Sequence, residues 1–430
     1  MVKRVARQLM KRLRELELGR MRDPRGRRGR RWSWPSIIGV SLAGLMSGCK
    51  SLGELEKLTG RMSRDVQRML GISGRLADTT LRDALCKASP DSCRVLLRRA
   101  VLKAKRRGAF AIRRGWFPKG VAALDGKGTA LPNWASPYVQ RHKPQDGAPY
   151  GLLRTITAVL SSHPARPCID VSPIPATTNE MGHFETALGD LCDEHGDLFE
   201  IVTYDAGANS EHNAQVVLRY GKHYVFHMAD DRREMTSLSD ELLEDCPVVA
   251  HTTDVINNSL LVRRELRILR VHDHSQSPHK SLIWSHTSTI LRVDSIATRL
   301  NDKGDVVGEK REARLYCSSL PRTDLSFDHW LALIRLHWRV ELVHQTLDVA
   351  YQEDERPWIV ANGNGALVMM VLRRIAYTIQ ALYRGVSLRS ESNRDMPWAE
   401  LLKWFEDAMK LAPPKAFEKL RPVAEPLAVA

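Results

Sequence analysis

"FEIVTYDAG", residues 199–207, is a run of β-prone side chains that breaks on an aspartate followed by two small residues. Phe199 to Tyr204 read as a buried strand, and Asp205 opens the turn that ends it. On either side lie "NEMGHFETALGDLCDEHG" (179–196) and "SEHNAQVVLRYG" (210–221), which carry apolar residues at helical spacing. A strand between two helices has to pair in parallel with its neighbours, so this stretch predicts an α/β fold.

Working outward, "VAALDGK" (121–127), "LLRTITAVLSS" (152–162) and "RPCIDVSPI" (166–174) precede it, and "HYVFHMA" (223–229) follows it. The predicted order is three strands in a meander, then strands separated by helices and parallel to the first. Further on, "LLVRRELRILRV" (260–271), "SLIWSHTSTILRVDSI" (281–296) and "EARLYCSSL" (312–320), with a "NDKGD" turn at 301–305, predict an all-β insertion. "DLSFDHWLALIRLHWRVELVHQTLDVAYQED" (324–354) reads as one long helix capped by Ser326 or Asp328, and "GNGALVMMVLRRIAYTIQALYR" (363–384) as a strongly apolar one. Upstream, from Ser36 to Arg107, Ser36, Ser51, Ser63, Thr80 and Ser89 stand where helix N-caps stand, with Gly48, Gly60 and Gly71 at helix ends. That predicts a bundle of four or five helices.

The expected organisation is a basic arm at 1–34, a helical domain at 35–116, a first part of the core at 117–229, and the β-rich insertion at 230–318. A second part of the core at 319–410 and a flexible tail at 411–430 complete it. The segment "RDPRGRRGRRWSWP" (22–35) reads as too charged to pack, a solvated arm or a contact to a DNA backbone.

The 430 residues carry 65 Lys and Arg against 50 Asp and Glu, a formal charge of +15 and a pI of about 9.6. Such an excess favours a polyanionic partner, nucleic acid before an anionic membrane surface. The run "IIGVSLAGLM" (37–46) is about half the roughly 20 residues of a membrane span, and the expectation is a soluble cytoplasmic protein. Seven scattered cysteines without a C-x-x-C pair fit neither a disulfide framework nor a zinc ribbon. His223 with His227 and His272 with His274 are ligand-like pairs that lack a third partner at metal-site spacing.

Three acids remain. Asp125 and Asp205 each end a hydrophobic run, where open α/β sheets place their sites, although an aspartate opening a turn is also ordinary. On the long helix His337, Glu341, His344 and Asp348 fall in one stripe beside Trp330, Leu333, Ile334, Trp338 and Leu342, the residues expected to pack on the sheet. The stripe is either a wet face with an ion pair or a partly dehydrated site, for which a divalent metal is a natural partner.

In this order the motifs resemble those of the DDE transposases of bacterial insertion sequences, most closely the H-repeat-associated branch. "DPRGRRGRRWSWPSIIGVSLAGLMSGCKSLGELEKL" resembles that branch's N-terminal domain, "LDGK" and "VTYDAG" its first two catalytic motifs, and "HWRVELVHQTLDVAYQED" its third. Leu342 departs from the usual Asn, His344-Gln345 from His-Trp, and Asp348 stands where related transposases often carry lysine. The resemblance implies a ribonuclease H-like mixed sheet flanked by helices, with an N-terminal helical DNA-binding domain and the insertion before the last catalytic helix.

It further implies that Asp125, Asp205 and Glu341 are catalytic and hold two Mg²⁺ ions (or Mn²⁺), Asp125 bridging them. Lys127, His337, His344 and Asp348 would serve the phosphate or stand behind the acids. Arg25, Arg27, Arg28, Arg30 and Arg31, with Arg263, Arg264 and Arg267, would contact DNA. The implied partners are transposon-end and target double-stranded DNA, bound by a homodimer in the bacterial nucleoid. Water would cleave the transposon end and the freed 3′-hydroxyl would attack target DNA. No nucleotide is needed, and "LDGKGTA" lacks the spacing of a phosphate-binding loop. A metal-dependent endonuclease without strand transfer, or a silent DNA-binding protein derived from a transposase, stays open.

Overall fold

The computed structural model describes residues 1–26, 30–111, 117–205, 207, 209–228, 234–256, 259–271, 282–301, 303–388 and 390–425. Helices α1 to α6 are Val2–Glu15, Trp34–Met46, Leu52–Arg61, Arg64–Met69, Asp78–Cys86 and Pro90–Arg106. Then come β1 (Val121–Leu131), β2 (Val139–His142), β3 (Tyr150–Leu160), β4 (Cys168–Pro173), α7 (Glu180–His195), β5 (Ile201–Tyr204), α8 (Glu211–Arg219) and β6 (His223–Met228). They are followed by α9 (Glu234–Glu244), β7 (Ala250–Ile256), β8 (Leu260–Arg270), β9 (Thr289–Leu300) and β10 (Val306–Ser318). The chain ends with α10 (Phe327–Val349), α11 (Gly363–Leu382), α12 (Glu391–Arg394) and α13 (Trp398–Leu411).

The chain folds as two compact units, one of residues 1–114, 126–183 and 341–430, the other of 115–125 and 184–340. Strand β1 and helix α10 run through both.

The first unit is mostly helical. Ser51, Ser63 and Ser89 cap α3, α4 and α6 by accepting from the backbone N–H three residues on, as expected. Two expectations shift: α2 is capped by Ser33, so Ser36 lies inside its first turn, and α5 begins after Ala77, so Thr80 caps nothing. Helix α11 is buried along its whole length, packed against α2, α5, α6 and β4. It is long and apolar enough to cross a membrane by length and composition, and here it is the core of a helical unit.

The N-terminal stretch is not simply an arm. Val5, Leu9, Met10 and Leu13 are at most 1% exposed on one face of α1, which packs against α6 and α13. The arginines and lysines between them stay outside, so high charge and packing coexist on one amphipathic helix. The tail also packs: Ala412, Ala416, Phe417 and Ala424 are buried, and Val423 N–H donates to Met69 O at 2.8 Å. The sheet of this unit has β3 beside β1, with β2 and β4 both antiparallel to β3. The short strand β2 is new relative to the sequence reading; three of its four residues are exposed, which removes the apolar signal.

In the second unit β1 pairs in parallel with β5, and β5 in parallel with β6, as a strand–helix–strand order demands. With β3 on the other side of β1, this is the mixed α/β sheet of a ribonuclease H-like fold. The insertion is not all-β, because α9 opens it and packs on β8, β9 and β10. Nor is it separate: β10 pairs with β6 and the antiparallel ladder continues through β9 and β8 to β7.

The core of this unit joins Val121, Ile201, Val225, Leu266, Leu291 and Val293 of the sheet to Trp330, Leu333, Ile334 and Leu336 of α10. Each such side chain removed from water contributes roughly 1.5–3 kcal/mol, and Trp330 is fully buried with its indole N–H donating to Arg322 O at 2.9 Å. Ser326 does cap α10, accepting from His329 N–H at 3.2 Å, but the helix stops at Val349, before the Glu353-Asp354 pair. Leu342, expected among the packing residues, is 45% exposed. The buried apolar set is Trp330, Leu331, Leu333, Ile334, Leu336, Val340, Val343 and Leu347, which leaves Leu342 on the outer side.

Candidate active site

Parallel pairing sets the first two acids side by side. The register Val121↔Ile201, Ala122↔Val202, Ala123↔Thr203 sets Asp125 opposite Asp205, where β5 ends while β1 runs on to Leu131, so Asp125 does not end its strand as the sequence suggested. Neighbouring strands lie about 4.8 Å apart, and residues two apart point to the same face. Tyr204↔Phe226 continues the row to His227, whose ring sits 5.2 Å from that of Tyr316 on β10. Gly207 N–H donates to Asp205 Oδ1 at 2.9 Å, which holds the carboxylate at the turn.

Helix α10 meets this row through His337. Its Nδ1 shares a hydrogen bond of 3.2 Å with the hydroxyl of Thr203, two residues before Asp205 and therefore on the same face. Burial pushes the His337 imidazole below its ordinary value, while Asp125 and Asp205 pull it back up, so both carboxylates act on it directly. His227 is pushed down to about 4 by burial and by Arg314. The His227 ring is therefore neutral at physiological pH and accepts or donates a hydrogen bond without bringing a cation. His223, expected as a possible ligand partner of His227, instead shares a hydrogen bond with Ser319 at 3.3 Å. Glu341 follows His337 by one helical turn and is exposed.

Lys127 and Asp348 come together in the other unit, where the structure corrects the expected phosphate role. The Lys127 ammonium, with its side chain 7% exposed, pairs with Asp348 and lies 3.4 Å from Glu353 Oε1 and 3.3 Å from Asp354 Oδ2. Among the described residues, Asp348, Glu353 and Asp354 bring their oxygens within 4.8 Å of one another. Behind them Arg374 donates to Glu353 Oε2 at 2.7 Å, both side chains wholly buried. Burial pushes Glu353 up, but Arg374, Lys127 and Arg373 outweigh it and hold the carboxyl at about 2. Asp348 is raised, chiefly by burial, against the pull of Lys127. His344 is buried on the inner side of α10.

The arginines assigned to DNA are mostly engaged already. Arg25 donates to Asp23 and to Trp32 O and lies over Trp34, and Arg30 donates to Gly26 O and pairs with Asp23. Arg31 is exposed, over Trp32; Arg27 and Arg28 lie outside the described residues. On β8, Arg264 pairs with Asp254 and lies over Trp338, and Arg267 pairs with Asp294. Arg263, 58% exposed and paired with Glu265, is the one of these three that faces solvent. His272 and His274 are also outside the described residues.

Thr203 was not anticipated as a site residue, and His227 was singled out only in a ligand-like pair with His223, not beside the aspartates. Their signal was present: Thr203 precedes Asp205 by two, and His227 ends the next strand. Arg373 and Arg374 sit inside an apolar helix and gave no sign beyond their placement there.

No family model matches the sequence, and no curated protein matches it. Among solved structures, a cryo-EM structure of the piggyBac transposase synaptic complex with hairpin DNA aligns over 99% of this chain and 84% of that chain. The TM-score is 0.43 and the identity 11%.

Proposed function

We propose that this chain is a DDE-type transposase of the H-repeat-associated branch of bacterial insertion sequences, cutting transposon ends and joining the freed 3′-hydroxyl to target DNA. The observation that carries the reading is the parallel register that makes Asp125, within β1, and Asp205, just past the end of β5, neighbours. A sheet needs no such pair for its own stability, since two adjacent carboxylates repel unless a cation lies between them.

Asp125 and Asp205 offer the oxygen donors that hard divalent cations prefer, with His337 beside them; Glu341 is proposed as the third ligand from the resemblance of its motif alone. Two Mg²⁺ ions, when bound, would lower the pKa of the attacking water or 3′-hydroxyl and offset charge on the leaving oxygen. The chain's own share is positional. Thr203 fixes the His337 ring, the Gly207 N–H fixes Asp205, and the basic surface, +15 in formal charge, draws in the DNA. Paired cleavage and joining of two ends calls for at least a dimer on DNA, working at the bacterial nucleoid.

The test is cleavage and strand transfer on DNA bearing the repeats that flank the gene, with Mg²⁺. Asp125→Ala, Asp205→Ala and Glu341→Ala should each lower cleavage by about a hundredfold or more while DNA binding persists. Equal activity in all four proteins would overturn the assignment. Cleavage without joining of a pre-cut 3′ end would reduce the protein to an endonuclease, and binding without cleavage to a silent derivative.

A further inference from the structure

Six charged side chains, buried or half-buried except for the exposed Asp354, form one network in the helical unit: Lys127 from β1, Asp348 from the last turn of α10, Glu353 and Asp354 from the loop after it, and Arg373 and Arg374 from α11. Three cations meet three anions. Asp348, Glu353 and Asp354 converge as ligands of a divalent ion do, yet Lys127 points its ammonium at all three. A metal and an ammonium cannot share that position, because their charges repel and each needs the same oxygen lone pairs.

The surrounding backbone is shaped around this centre. Gln352 and Trp358, two non-glycine residues of the loop, adopt left-handed conformations, with φ of 51° and 63°. Such residues persist where neighbouring contacts hold them, and here Arg373 donates to Arg356 O at 2.8 Å and lies 6.0 Å over the Trp358 ring. Thr129, on the same face of β1 as Lys127, donates to Asp354 Oδ1 at 3.4 Å. Glu353 Oε1, in a side chain 1% exposed, has no hydrogen-bond partner and faces Lys127 at 3.4 Å.

We propose that Lys127 is a positioning residue: its ammonium is the tethered cation of a carboxylate site made by Asp348, Glu353 and Asp354, and it ties the end of α10 and the following loop to β1. The site resembles a metal centre in which the protein supplies the ion itself. Filling it with a side chain keeps divalent ions from binding there and makes the tie permanent. Lys127 then has no ammonium to offer a phosphate, although it lies two residues from Asp125. The inference concerns the helical unit alone and does not rest on the proposed reaction.

Lysine 127 replaced by methionine keeps the stem and removes the charge. In EDTA the Lys127→Met protein should melt several degrees below the wild type. The vacated carboxylates should now bind Tb³⁺ or Mg²⁺ at about millimolar affinity or better, seen as Tb³⁺ luminescence sensitised by the protein's tryptophans and as recovery of the lost melting temperature in Mg²⁺. The gained binding should vanish in Lys127→Met combined with Asp348→Asn and Asp354→Asn. All proteins carry Asp125→Asn and Asp205→Asn, so that ions at the proposed active site do not contribute. Should Lys127→Met bind no more Tb³⁺ than its parent and melt at the same temperature with and without Mg²⁺, the tethered-cation assignment is wrong. Lys127→Arg should bind no extra ion. A loss of DNA affinity in Lys127→Met without any change in melting would instead restore the phosphate role and overturn the proposal.

Discussion

Glu353→Gln is the sharpest test of the packing in the helical unit. The wild-type carboxyl lies at about 2 against an ordinary 4.5, although its burial alone would raise it. That difference corresponds to about 3 kcal/mol of preferential binding of the ionised form in the folded state. Glu353 is 1% exposed and Arg374 0%, so solvent screens little of it. Removing one partner of a buried ion pair likewise costs about 3–5 kcal/mol, because the other charge stays behind unpaired. Here two guanidiniums, Arg373 and Arg374, would be left with Lys127 against two acids. The expected change is a loss of about 3 kcal/mol at pH 7, or a fall in melting temperature of roughly 5 °C.

The pH dependence carries a sign. For a depressed carboxyl the stabilisation is complete above 4.5 and is lost as pH falls from 4.5 toward about 2. Urea midpoints of wild type and Glu353→Gln should therefore be far apart at pH 7 and pH 5 and converge below pH 3. A gap of less than about 1 kcal/mol at pH 7, or one that stays constant across the acid range, would refute the view that an ionised Glu353 holds Arg374.

Two further predictions concern the sheet unit. His227 is held down at about 4, so the folded protein refuses a proton that the unfolded chain accepts below 6.5; stability is full above 6.5 and falls between 6.5 and about 4. His227→Gln should flatten that slope in urea midpoints taken at pH 7 and pH 5, with His337 supplying what remains; an unchanged slope would show that His227 titrates normally. Gly120→Ala should be severely destabilising, by more than about 3 kcal/mol, because its Cβ would lie 2.2 Å from Leu198 O and 2.7 Å from Phe199 Cα, both backbone atoms. Gly128→Ala, whose nearest neighbour is the tip of Leu152 at 3.2 Å, serves as the control and should lose little.

Much of the sheet was legible because its signals are local. Each core strand is a β-prone run ended by a turn residue, and the order of strands and helices forces the parallel pairs. The basic arm expected over 1–34 begins with a packed helix. Val5, Leu9, Met10 and Leu13 follow the helical period within "MVKRVARQLMKRLREL", and that period outweighs the lysines and arginines between them. The helix α9 was hidden for another reason: "EMTSLSDELLE" is short, polar on one side and flanked by strands, so its turn-forming serines and aspartate dominated the reading. The Lys127 network was out of reach, since Lys127 lies 221 residues before Asp348 in sequence and no periodicity links it to the acids.

The two aspartates show how a site can be legible in its parts and still depend on something no motif states. Each acid alone is a turn residue. They become a pair because Val121 faces Ile201, and the same offset holds through Ala122↔Val202 and Ala123↔Thr203. A slip of one residue between β1 and β5 would turn the side chains of one strand to the opposite face, and would separate Asp125 from Asp205 without altering either residue. What holds that register is the apolar ladder beneath: Val121, Ile201 and Val225, each at most 3% exposed and packed on Trp330 and Leu333 of α10. The same helix then presents His337 to Thr203. The chemistry proposed for the acids is thus anchored in core residues that never touch a substrate, which is why burial pattern and motif had to be read together.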